Sequence, residues 1–418
     1  MTATARPPAN ILVIAHGHVE FSTGGAEVAA DQLFRALRRS GTAGRVTLLA
    51  RYDRGPRSGL VALLREDEYL WRTDMGDWFK FQSAGGEAVT GPFRAFLARL
   101  KPDIVFVHHY AHMGLELLRE IRRTLPDARI VLTLHEFQAI CANDGQMVKR
   151  ASRELCFGSS PQACVACFPE RSEEDFWLRR HFIRRHFDVV DRFVAPSDFL
   201  RRRYVEWGLP AERIAVIENG QPAGGRLPPR ALPTGGQRNR FAFFGQVTPF
   251  KGVDVLLAAV AGLPRARRAK IHLEIHGANL DQQEEAFRTR IEALRRPLME
   301  EGVLHWPGAY HREDLARRMA RIDWVVVPSL WWENSPVVIQ EAFRYGRPVL
   351  CSNIGGMAEH VRDGVDGRHV GVGNTADWGE TLLAAAADPE DWARLHQNLR
   401  EPIPVEVAAT RYLEWASG

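Results

Sequence analysis

The chain has 418 residues, 45% of them hydrophobic, with 55 basic side chains against 51 acidic ones and a formal charge of +4. That is enough apolar material for sizeable cores and enough length for two domains or more, while so small a net charge gives no reason to expect nucleic acid as a partner. No uncharged stretch is long enough to cross a bilayer and the first ten residues hold no apolar leader core, so a cytosolic globular protein is the expectation.

In the first half, short apolar runs alternate with helix-length segments: Ile11 to Ala15, Val46 to Ala50, Ile104 to His108, Ile130 to Leu134, Phe193 to Ala195 and Ile214 to Ile217. Most are too apolar to leave one face in water, which suits parallel strands covered by helices on both sides. After the first run, Gly24-Gly25-Ala26-Glu27 opens a helical pattern (Val28, Leu33, Phe34, Leu37) where bare backbone could approach a phosphate; a plain tight turn fits as well. His135-Glu136 directly follows the fourth run, the loop position where ligand-facing residues of such sheets are found.

An insertion at about 137–190 follows. It holds four of the five cysteines, Cys141, Cys156, Cys164 and Cys167, spaced C-x14-C-x7-C-x2-C. Without a leader a disulfide framework is not expected, and four thiolates could close a tetrahedral structural zinc site; free buried thiols and, after them, an iron-sulfur cluster are the alternatives. Residues 176–187 mix Trp177, Phe182, Ile183 and Phe187 with Arg179, Arg180, Arg184 and Arg185. Such a helix either packs on a core with a solvated face, or touches anionic headgroups at a membrane's inner face or a phosphorylated acceptor.

From Gln221 to Gln237 four prolines and four glycines mark a linker. We therefore divide the chain into an N-terminal domain over 1–222, a C-terminal domain over 238–400, and a tail helix over 401–418 packing back on the first domain. The second half repeats the strand scheme at Phe241 to Phe244, Ile271 to His276, Val303 to Trp306, Trp324 to Val327 and Pro348 to Cys351. Its first loop, Gly245 to Gly252, carries Gln246 and one of only five lysines, Lys251, where an ammonium could neutralise a diphosphate. After the Trp324 run, Ser335 is placed as the cap and Pro336 as the first residue of a helix whose amides at Val337 and Val338 would attract a phosphate. Glu333 precedes the helix and Glu341 lies within it, so one carboxylate can reach a sugar and the other a ribose.

Taken in order, Gly24 to Glu27, the strand ending at His135, Val216 to Gly220, Gly245 with Lys251-Gly252, the E-x7-E pair Glu333 and Glu341, and Ala342 to Val349 running into Gly355-Gly356 resemble a retaining glycosyltransferase of family 4. The resemblance implies the α/β GT-B fold, two Rossmann-like doubly wound domains facing each other across a cleft, with acceptor and donor domains in that order. It implies a nucleotide-diphosphate sugar as donor, an acceptor that is a glycan, a lipid-linked compound or a small molecule, an alpha linkage and no catalytic metal. Glu341 would hold the ribose, Glu333 the sugar, and Lys251, Gly25, Val337 and Val338 the diphosphate, with His135 beside the anomeric carbon. Gln246 departs from the family, where arginine is frequent; a neutral amide donates a weaker hydrogen bond than a guanidinium. An epimerase or phosphorylase of the same fold, or a silent zinc-stapled interaction module, are the competing readings.

Overall fold

In the computed structural model, which describes residues 8–22, 24–54 and 58–418, the chain forms two compact units, Met1–Pro222 with Ile403–Gly418 and Ala223–Pro402. Among the described residues no helix is long and apolar enough to cross a membrane.

Unit 1 contains β1 (Ile11–Ala15), β2 (Val46–Tyr52), β3 (Val61–Arg65), β4 (Glu68–Arg72), a small pair β5 (Met75–Asp77) and β6 (Gln82–Ser83), then β7 (Ile104–Val107), β8 (Arg129–Thr133), β9 (Arg192–Ala195) and β10 (Ile214–Val216). Its main sheet runs β10-β9-β8-β7-β1-β2-β4-β3. Every pairing in it is parallel except β3 with β4. Every residue of β1 and β7 is buried, as strands covered on both faces must be. From β1 the chain lays strands to one side (β2, β4) and then to the other (β7 onward). The reversal lies between β1 and β7, and a crevice opens beyond the strand ends at such a point.

Residues 403–418 close this unit. The helix Val405–Ser417 packs on the helix Gly25–Ser40 through Val405, Ala408, Ala409 and Tyr412, which share one core with Leu33, Phe34 and Leu37. Gln221 N donates to Ile403 O at 2.9 Å, and Trp415 Nε1 to Phe193 O at 3.0 Å.

Unit 2 contains β11 (Arg240–Gln246), β12 (His272–Ala278), β13 (Leu304–His305), β14 (Trp324–Val327), β15 (Val349–Ser352) and β16 (Gly367–Val370), ordered β13-β12-β11-β14-β15-β16 and parallel throughout. Alternate residues of β11 face opposite ways: Phe241 and Phe243 enter one core, Ala242 and Phe244 the other. The same reversal of strand order falls here between β11 and β14.

Candidate functional site

Unit 2 builds its site from the two loops that leave β11 and β14. Lys251 ends a single 3-10 turn, and Gly252 caps the helix Val253–Gly262 with φ 69°. A Cβ on Gly252 would lie 2.0 Å from the Pro328 carbonyl oxygen, so only glycine allows both this left-handed backbone and this approach. Leu330 N donates to Phe250 O at 2.8 Å. The two loops are locked side by side, and that brings Lys251 to Glu333 across 82 positions of sequence.

Three donors converge on one oxygen of Glu333. Lys251 Nζ reaches Oε1 at 2.6 Å, Ser329 Oγ at 2.7 Å and Trp331 Nε1 at 3.0 Å. Burial alone would push this carboxyl up, but the Lys251 charge and the three hydrogen bonds outweigh it and hold the group below the usual carboxylate range. Backbone contacts fix the same residue: Gly356 N donates to Glu333 O at 2.7 Å, and a Cβ at Gly356 would meet Asn334 O at 1.6 Å. Glycine at 356 is what lets the helix Gly355–His360 close on this turn.

Glu341 has a different environment. It is buried, and its nearest cation is Arg312 at 3.7 Å. An ion pair would lower its pKa, yet burial pushes it up to about 7. Burial wins because the Arg312 side chain is 47% exposed and water weakens its field.

The helix that follows Glu333 and carries Glu341 is Val337–Arg344, capped by Pro336 without a side-chain bond. The cap therefore sits one residue later than the sequence suggested, and Ser335 is not the capping side chain. Ser335 Oγ is left buried without a hydrogen-bond partner. The amides of Val337 and Val338, at the first two helical positions, have no intrahelical acceptor, and the positive end of the helix dipole lies with them. Gln246, at the exposed end of β11, takes no part in the Lys251–Glu333 group. A cavity of about 1140 Å3 beside the end of β12 is lined by neither Lys251, Glu333 nor Glu341.

Unit 1 places imidazoles at its own switch point. His16 follows β1, His108 and His109 follow β7, and His135 lies just beyond β8. His135 Nε2 lies 3.1 Å from His108 Nδ1, and the His16 and His109 ring centroids are 4.4 Å apart. Burial, with neighbouring imidazoles adding to it, holds His108 down at about 3 and His109 and His135 well below the ordinary histidine value. These rings are neutral. His109 Nδ1 accepts from Ala111 N at 3.0 Å, which assigns its proton to Nε2, 3.5 Å from Glu136 Oε1. Burial raises Glu136 to about 8, so this carboxyl is mostly protonated at neutral pH.

The loop that carries His135 is braced by two buried side chains. Arg179 donates to Phe79 O at 2.7 Å, to Ala139 O at 2.9 Å and to Gln138 O, while Tyr204 Oη donates to Glu136 O at 3.0 Å. Gly24 caps the helix Gly25–Ser40, and a Cβ there would meet the Glu27 carboxylate at 2.4 Å. That carboxylate accepts from Ser22 Oγ and lies 3.4 Å from His16 Nε2. The loop of Gly24 and Gly25 is therefore shaped in this structure around a side chain of its own helix.

The four-thiolate zinc site is not formed among the described residues. Cys141, Cys156, Cys164 and Cys167 are reduced, and no group of three or more described His, Cys, Asp or Glu has the arrangement to hold a metal ion. Burial raises Cys141, and Cys164 to about 11, so in the metal-free chain both are thiols.

Sequence reasoning missed Ser329, Arg312 and the imidazoles of His16, His108 and His109. The rule that selected His135, a polar residue immediately after a buried run, applies equally to His16 and to His108-His109 and would have found them.

Comparisons with known proteins bear on the whole chain. The family described as "Glycosyl transferases group 1" matches residues 229–401, and the "Glycosyl transferase 4-like domain" matches residues 24–220. A D-inositol 3-phosphate glycosyltransferase of Mycobacterium sp. (strain JLS) is 36% identical over 288 residues, covering 67% of this chain and 58% of the relative. One of Nocardia farcinica is 33% identical over 218 residues, 49% of this chain and 47% of the relative. The chain thus spans about half the length of these relatives. Among solved structures, Anabaena HepE in complex with UDP-glucose aligns with TM-score 0.66 at 16% identity over 97% of this chain and 99% of that one. Sucrose-phosphate synthase from Thermosynechococcus elongatus aligns with TM-score 0.68 at 17% identity over 97% and 98%. With both halves of the chain matched by its domains, the protein belongs to the group 1 glycosyltransferases and has their GT-B fold.

Proposed function

We propose that the chain is a retaining hexosyltransferase that moves a sugar from a nucleotide-diphosphate sugar to an acceptor hydroxyl, leaving an alpha linkage, in the synthesis of a polysaccharide, glycolipid or other glycoconjugate. The observation that carries this reading is the Lys251–Glu333 pair, 2.6 Å apart at the reversal of strand order in unit 2, beside a helix start with unsatisfied amides. A diphosphate suits those surroundings: Lys251, the amides of Val337 and Val338 and the unpartnered Ser335 Oγ would hold its oxygens, with Gly24, Gly25 and Gln246 assigned to the same ligand by the family resemblance. Charge gathers on the leaving diphosphate as the glycosidic bond breaks, so donors fixed there stabilise the transition state more than the bound donor. Glu333, with three donors on Oε1, has Oε2 to offer a sugar hydroxyl. Glu341 takes the ribose. His135, a neutral imidazole, is assigned to the reacting carbon, and the acceptor attacks from the face the diphosphate leaves.

HepE forms its complex with UDP-glucose, and the relatives are named for inositol 3-phosphate, so these two compounds are the first donor and acceptor to try. We place the enzyme in the cytosol, in peripheral contact with the inner face of the membrane. A thermal-shift panel of UDP-, GDP-, ADP- and TDP-sugars tests the donor site, because a ligand bound only by the folded state raises Tm with its concentration. One of them should raise Tm in the wild type and fail to do so in Glu341→Ala. No shift with any of the four, or a beta-linked product by NMR, would sink the reading.

A further inference from the structure

On the surface of unit 1 a cavity of about 360 Å3 opens between the helices Glu116–Thr124 and Glu173–Phe187, apart from the histidines described above. Five of its seven lining residues are basic, Lys80, Arg119, His181, Arg185 and His186; the other two are Leu178 and Phe182. No carboxylate lines it. Arg119 Nη2 donates to the Arg185 carbonyl oxygen at 2.9 Å, which draws a cation of one helix onto the other. Among the described residues neither Lys80 nor Arg185 forms an ion pair, so the cavity gathers positive charge with nothing to balance it. His186 is 7% exposed and donates Nδ1–H to Phe182 O at 2.9 Å; burial lowers its pKa, so it is a neutral wall of the cavity and the anion-binding groups are Lys80, Arg119 and Arg185. Repulsion among Lys80, Arg119 and Arg185 is a standing cost that an anion would remove.

The rim of the cavity is apolar as well as basic. Trp177 and Leu178, on the same helix, are 57% and 48% exposed, and the Trp177 ring stacks on His181 at 5.3 Å. Glu173, Glu174 and Asp175 stand in the first turn of that helix, while Arg184, Arg185 and His186 stand in its last. Large exposed apolar groups next to cations are the composition of a surface that rests in a headgroup layer.

We propose that this cavity binds the phosphate of an acidic phospholipid, with Trp177 and Leu178 entering the interfacial layer beside it. The proposal deepens the peripheral-membrane part of the function above and is independent of the sugar chemistry. The test is co-sedimentation of the full chain with phosphatidylcholine vesicles with and without phosphatidic acid, for the wild type, Lys80→Glu/Arg185→Glu and Trp177→Ala. In parallel, the affinity of each variant for inorganic phosphate and glycerol 3-phosphate is measured in solution. Wild type should bind the acidic vesicles only. A juxtamembrane cation is worth roughly fivefold in binding, so the double charge reversal should weaken it by about 25-fold or more, and added salt should weaken the wild type too. Nucleotide-sugar affinity in solution should be the same in all three, which separates failure here from failure of the donor site. Equal binding to neutral vesicles, or unchanged binding by the double variant, overturns the site. Binding of glycerol 3-phosphate without binding of vesicles overturns the lipid as its ligand.

Discussion

The two units answer one topological problem with opposite electrostatics. Each is a doubly wound sheet whose strand order reverses beside its first strand, β1 against β7 in unit 1 and β11 against β14 in unit 2. At that point unit 2 sets a lysine against a carboxylate, and the carboxylate is kept ionised by the lysine and three hydrogen bonds. Unit 1 sets imidazoles against one another and burial keeps them neutral. Each unit also hides an arginine on three backbone carbonyls. Arg179 braces the loop of His135, while Arg347 spans Met319, Gly346 and Pro228. The sheet decides where a site can form, and the loop residues decide what it can do there.

The largest effect expected from breaking this contrast is at Lys251. Lys251→Ala should lower turnover by about 10²–10³-fold, the scale of losing one preorganised donor at a developing oxyanion. By calorimetry it should weaken diphosphate affinity while sparing a nucleoside monophosphate; equal losses for both would detach Lys251 from the diphosphate. Next come the arginines. Arg179→Met and Arg347→Met should each destabilise by about 3 kcal/mol in urea unfolding, since each orphans three carbonyls. Only Arg179→Met, assayed where it stays folded, should also lower turnover, and full activity in it would show that the His135 loop needs no brace. Gly252→Ala should cost about 2 kcal/mol through its left-handed backbone and the crowding on Pro328, with donor affinity falling alongside.

The smallest effect is one of pH. Glu341 has a folded pKa of about 7, raised from 4.5, so it gains a proton as pH falls through 7. If two ribose hydroxyls donate to the ionised form, nucleotide affinity should rise from pH 6 to 8, by no more than about tenfold per unit below the pKa, and be flat in Glu341→Gln. Stability of the free protein runs the other way: the contribution of this group is complete below pH 4.5 and lost as pH rises through 7.

Much of the fold could be read from apolar runs alone. Trp324 to Val327 and Ile11 to Ala15 are strands with the bounds their sequence suggests. The strands between Val61 and Ser83 left no such mark. β3 is an edge strand with three of its five residues exposed, and the turn into β4 puts φ 59° on Asp67, with no glycine to announce it. For the site, Lys251 and Glu333 could be chosen one by one as loop residues after strands. Their pairing with Ser329 and Trp331 depends on two loops docking through Gly252, a tertiary fact that local pattern does not carry. The cysteine spacing could not settle a metal site for the same reason: spacing counts residues along the chain, while a metal site needs thiolates converging in space, and among the described residues no such group is formed.

The return of the last helix to unit 1 has a consequence in time. Tyr412 and Trp415 finish a layer over Phe34 and Val194 that the first 222 residues leave open, and the whole of unit 2 is translated in between. At ribosomal rates of 5–20 residues per second, the stretch 223–402 takes roughly 10 to 40 s to emerge. During that interval the nascent first unit shows water an apolar face around Leu33, Phe34 and Leu37, the period when it most needs a chaperone.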